Sequence, residues 1–114
     1  MFLLLLILHN EEYLEDVLSG LIELGIEDAV VMDTEPLNKA LAYRVPIFAG
    51  VRFGLSGKSL SKFIVATTNN PNAGEELVAM LKEIDIDLED EGVSRIITIK
   101  AESVIGKPNE IEEI

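Results

Sequence analysis

None of the 114 residues is cysteine. This excludes disulfides, thiolate metal sites and a cysteine nucleophile, and fits a reducing cytoplasmic setting. Tryptophan is absent too, and histidine occurs once, as His9. A His-rich metal site is excluded, and a Ser-His-Asp triad would rest on that one residue. A lone histidine is more simply structural than a ligand or a pH-sensing group. The chain also lacks a hydrophobic run of membrane length. FLLLLIL at Phe2 to Leu8 has seven apolar residues, whereas a bilayer-spanning helix needs about 20. No positive segment precedes the run and no small-residue cleavage site follows it. We therefore expect a buried strand there, and no membrane insertion.

The most informative absence is of one sign of charge. From Pro36 to Gly74 there is no Asp or Glu, although the chain has 21 of them. Five of its nine basic residues, Lys39, Arg44, Arg52, Lys58 and Lys62, lie in that window. The window carries +5 within a chain of net charge −12. The overall acidity argues against a nucleic-acid partner, which requires a basic face to displace counterions. A local basic patch can still act, since charges beyond a Debye length of about 8 Å are largely screened.

What is present predicts one folded domain over residues 1–114. Apolar residues make up 48% and charged residues 26% of the chain, the balance of a globular protein rather than a disordered one. Phe2 to Leu8 does not alternate, so it reads as a strand apolar on both faces. Asn10 can cap a helix whose stripe is Leu14, Val17, Leu18, Leu21 and Ile22, with Gly25 ending it. Asp28 to Met32 reads as a second strand. Thr34 could cap a short helix to about Ala42, with Pro36 in its first turn. Val45 to Phe53 shows period-two alternation, with Pro46 placing it at an edge. GLSGKS is a turn, and Lys62 to Thr68 a strand. Asn70 or Asn72 begins a second helix with stripe Leu77, Met80, Leu81 and Ile84. Asp85 to Glu91 is an acidic connector, and Val93 to Ala101 the last strand. The fold class is thus α+β: a ferredoxin-like β-α-β-β-α-β sandwich with a long loop or extra hairpin between the second and third core strands. Both helices would cover one sheet face. The other face would need a cover, most simply by oligomerisation.

The acid-free window holds the candidate site. GVRFGLSGKS matches the end of a phosphate-binding P-loop, but Arg52 occupies the position of its first glycine, and a strand rather than a helix follows. A looser nest of backbone N–H groups at Gly57, Lys58 and Ser59, supported by Arg52, is the better expectation. Arg44 and Arg52 suit a planar oxyanion through bidentate guanidinium contacts, and Lys62 adds charge. The competing reading is that these cations pair with acidic residues of a neighbouring subunit. Glu11, Glu12, Glu15 and Asp16 read as partners of a helix dipole, and Glu89-Asp90-Glu91 lacks the ligand spacing of a calcium loop. No metal site is expected. No nucleophile–base pair assembles from the sequence, so no enzyme is expected.

Two stretches carry a family likeness: FLLLLILHNEEYLEDVLSGLIELGIEDAVVMD and FIVATTNNPNAGEELVAMLKEIDIDLEDEGVSRIITIKAESVIGK. In length, element order and the long segment between the second and third strands, the chain resembles the PII-like (nitrogen regulatory protein PII-like) superfamily. The resemblance implies a homotrimer, clefts between subunits and a long loop that responds to a ligand. Three departures stand out. The family's Gly/Lys-rich phosphate loop before the last strand is here the acidic IDIDLEDEGVSR. His9-Asn10 replaces a Lys-Pro, and DTEPLNKA replaces a glycine-rich loop start. The expected function is a cytoplasmic signalling protein that senses a small anion, with adenine nucleotides as candidates, and acts on a protein target. The alternative is a non-catalytic assembly module without a ligand. A trimeric ferredoxin-like metal-tolerance protein is a third reading, disfavoured by the single histidine and the lack of cysteine. No cofactor is specified.

Overall fold

A computed structural model describes residues 1–35, 37 and 61–107. The short helix and the period-two segment expected between Pro36 and Phe53, and the GLSGKS turn, lie outside the described residues.

The described elements are β1 (Phe2–Leu8), α1 (Leu14–Glu23), β2 (Ala29–Thr34), β3 (Ser61–Thr68), α2 (Ala73–Lys82) and β4 (Ser94–Lys100). They form an α+β domain with a four-stranded antiparallel sheet in the order β2-β3-β1-β4. This is compatible with a ferredoxin-like fold. No helix among the described residues is long and apolar enough to cross a membrane.

β1 lies at the centre of the sheet because it is apolar on both sides. Leu4, Leu6 and Leu8 are almost wholly buried, whereas Leu3, Leu5 and Ile7 are half-buried. The first set joins Ile64 and Ala66 of β3 beneath the helices. Val17 and Leu21 of α1 and Leu77 and Leu81 of α2 complete that core. The helices approach closely where α1 carries Gly20. A Cβ there would stand 2.6 Å from Cδ1 of Leu77, so any larger residue would push against a buried side chain.

Neither α-helix carries a side-chain cap at its own first residue; the expected asparagines instead form turns just ahead of the helices. Asn10 accepts a hydrogen bond from the Glu12 N–H at 3.1 Å and opens a 3-10 turn at Glu11–Tyr13 before α1 begins. At α2 it is Asn70, not Asn72, whose side chain accepts, taking the Asn72 N–H at 2.9 Å. The helix ends match each other. Gly25 takes φ +78°, and the Ile26 N–H reaches back to the Leu21 carbonyl at 2.9 Å. Asp85 takes φ +63°, and the Ile86 N–H reaches the Leu81 carbonyl at 2.9 Å. These are Schellman ends, each followed by a buried isoleucine.

Two stripe assignments are corrected. Ile22 and Ile84 are 61% and 55% exposed. Ile22 lies on the flank of α1, beyond Leu18 and Leu21, and Ile84 falls after the end of α2. In their place, Ile86 and Leu88 from the acidic connector enter the core. Thr34, expected as a helix cap, is instead the last residue of β2, and its hydroxyl donates to the Ser61 carbonyl at 2.9 Å.

Candidate functional site

One end of the sheet gathers the polar side chains nearest the acid-free window: the exit of β1, the end of β2 and the start of β3. The 52-residue gap between His9 and Ser61 closes there, with His9 Nδ1 3.1 Å from Ser61 Oγ. Ser61 is buried while the imidazole is exposed. The contact therefore ties the exit of β1 to β3. Among the described residues no third side chain orients the ring, so the pair lacks the base–orienter contact of a catalytic triad.

Lys62 pairs with Glu11 in one direction and with Asp33 in the other. Its ammonium donates to an Asp33 carboxylate oxygen and lies 4.0 Å from Glu11 Oε2. The hydrogen bond to Asp33 is the main cause that raises the lysine's pKa above its ordinary 10.5, and partial desolvation opposes it. The antiparallel register sets Asp33 directly opposite Lys62, so the pairing follows from strand alignment. Lys62 was expected as an anion contact, and here its charge is balanced within the subunit. The other expected contacts, Arg44, Arg52, Gly57, Lys58 and Ser59, lie outside the described residues. Among the described residues, no three His, Cys, Asp or Glu side chains cluster closely enough to hold a metal ion.

The second feature is the sheet face turned away from the helices. The register aligns Val30, Val65, Leu5 and Ile97 in one row across it. Met32, Phe63, Ile7 and Arg95 form the next row, and Thr67, Leu3 and Ile99 a third. Val30 is 57% exposed, Met32 43%, Ile97 40% and Ile99 47%. The only carboxylate on this face among the described residues is Asp28 at its margin, which accepts the Thr67 hydroxyl at 2.7 Å. A monomer rarely leaves so continuous an apolar surface in water. The apolar composition of the first strand signalled this face. Arg95, the one cation on it among the described residues, was not foreseen, because a residue's face is fixed only once its register is known.

A cavity of about 330 Å³ also opens between α2 and β4, floored by Val78, Leu88 and Ile96. Comparisons with known proteins add no assignment: no protein-family model and no curated protein matches this chain.

Proposed function

We propose that the chain is a small, homo-oligomeric regulatory protein of PII-like plan with a ferredoxin-like β-α-β-β-α-β core. Its subunits meet through the open sheet face, and its acid-free segment receives a small anion. The observation that carries this reading is that face. It is apolar and almost free of carboxylates on a chain of net charge −12. Two such chains repel across most of their surface, and on this face they can associate without that penalty. Burying it also supplies the second apolar layer that the two-sided β1 calls for.

The His9–Ser61 and Lys62–Asp33 ties stand at the end of β2 and the start of β3, the strand ends nearest the acid-free window. An anion held by Arg44, Arg52, Gly57, Lys58 and Ser59 changes the affinity of the protein for a protein target. The trimer is the assembly that the sequence resemblance implies, and a cytoplasmic location suits the cysteine-free composition. Calorimetric titration against adenine nucleotides, bicarbonate and phosphate metabolites tests the sensing. The expected result is binding below millimolar concentration that Arg52→Ala and Lys58→Ala abolish. Absence of binding by all of them defeats the sensor reading.

A second reading, a non-catalytic assembly module, draws support from Lys62. Of the six expected contacts, the one within the described residues is already neutralised by Asp33 and Glu11. On this reading the oligomer forms, a partner protein co-purifies, and no small molecule is retained in native mass spectrometry.

A further inference from the structure

β4 is an edge strand: β1 flanks it on one side, and no strand flanks the other among the described residues. The register shows which of its backbone groups are free. The His9 N–H donates to the Val93 carbonyl and the Ala101 N–H to the Met1 carbonyl. In an antiparallel pair, hydrogen-bonded positions alternate. Arg95, Ile97 and Ile99 therefore direct their N–H and C=O groups at β1, while Ser94, Ile96 and Thr98 direct theirs outward.

Three of the outward positions, Ser94, Ile96 and Thr98, line the cavity between β4 and α2. Its volume, about 330 Å³, lies at the lower limit of the roughly 300–1,000 Å³ typical of ligand pockets. It suits one or two side chains better than a whole cofactor. Its floor is apolar, and its acidic lining is Glu75 and Glu89; Arg95 also borders it, with its side chain set by strand alternation toward the open face. Glu75 has no ion-pair partner among the described residues, and Glu89 has only the exposed Lys82 at 3.6 Å. The Ser94 hydroxyl donates to the Leu88 carbonyl at 2.8 Å, which holds the connector as a fixed wall.

From this combination we infer that β4 and the adjoining cavity form a docking groove for an extended segment of a partner protein carrying a basic residue. The segment adds as a strand along Ser94, Ile96 and Thr98. One of its apolar side chains fills the floor at Val78, Leu88 and Ile96. Its Lys or Arg meets the carboxylates of Glu75 and Glu89, a charge-assisted contact. Lys100, at the far end of the same edge, repels the basic residue from that end and so sets the register. This inference rests on the edge and its cavity, and does not require the anion or the open-face assembly proposed above.

The test is fluorescence anisotropy of the full chain with two labelled nine-residue peptides. Both alternate valine and threonine, one with a central lysine and the other with a central glutamate. The lysine peptide is expected to bind at least tenfold more tightly. Thr98→Pro removes one outward N–H, which an edge strand tolerates, and is expected to weaken binding at least tenfold with unchanged circular dichroism. The double variant Glu75→Lys/Glu89→Lys, which leaves the backbone edge intact, is expected to reverse the preference. Equal binding of both peptides, no binding at millimolar concentration, or full binding by Thr98→Pro would overturn the inference. So would a drop in native mass on Thr98→Pro, because a second copy would then occupy the edge.

Discussion

The two faces of the sheet are made by the same strands from nearly the same residue types, yet they differ in everything that follows. Under the helices, Leu4, Leu6, Leu8, Ile64 and Ala66 are at most 2% exposed. On the other side, Val30, Met32, Ile97 and Ile99 remain 40–57% exposed. Residue identity does not distinguish them; the presence of α1 and α2 does. Burial on the first face stabilises the fold of a single chain. The second face can contribute comparable energy only when another molecule covers it, since apolar stabilisation follows the area removed from water.

Substitutions ordered by expected effect sharpen this contrast. Leu6→Ala on the covered face should cost about 2–5 kcal/mol, as truncations in closed cores do. Urea denaturation should show that cost at every protein concentration. Ile97→Ala on the open face should cost little in dilute solution and more as concentration rises, because its burial depends on association. An equal and concentration-independent loss for both variants would erase the distinction. Gly20→Ala tests the close contact that lets both helices share one face. With an added Cβ only 2.6 Å from Leu77 Cδ1, a loss of about 1–3 kcal/mol is expected. A neutral result would mean that the helix layer yields easily.

Smaller effects lie at the margins. Asp85 holds a left-handed conformation that Gly25 occupies without strain at the equivalent end of α1. Asp85→Gly should therefore stabilise by about 0.5–1 kcal/mol in thermal unfolding, and destabilisation would show that the carboxylate has another role. Lys62→Met should lower stability at neutral pH only slightly. The raised pKa of Lys62 makes the ion-paired contribution complete below the lysine's ordinary value of 10.5. That contribution is lost as pH climbs through the raised value. The gap between wild type and variant should thus close in strong alkali, and a gap that widens there would contradict the Lys62–Asp33 assignment.

Much of the fold was legible because periodicity reports it directly. The seven-residue run at the start, most of the two helical stripes and the succession of the four described strands along the chain follow from apolar spacing. The connector at residues 85–91 misled because its aspartates alternate with Ile86 and Leu88. Net acidity dominates that reading, whereas burial is decided residue by residue. Ile22 and Ile84 misled in the opposite sense, since spacing alone marks neither the edge of a buried stripe nor the last turn of a helix. The site was less legible. The acid-free window stands out in composition, but the pairing of Lys62 with Asp33 depends on a strand register formed across 29 residues of sequence. The tie between His9 and Ser61 depends on which strand ends meet. Neither leaves a local signature.

The central claim is that the open face is a subunit interface, and the most direct measurement is mass in solution by light scattering. Wild type should run as an oligomer of the 12.5 kDa chain, a trimer on the proposed plan. Val30→Asp and Ile97→Asp place charge at positions that a folded monomer already exposes to water, and each should give a monomer with unchanged circular dichroism. A monomeric wild type, or an oligomer whose mass neither substitution alters, would contradict the account.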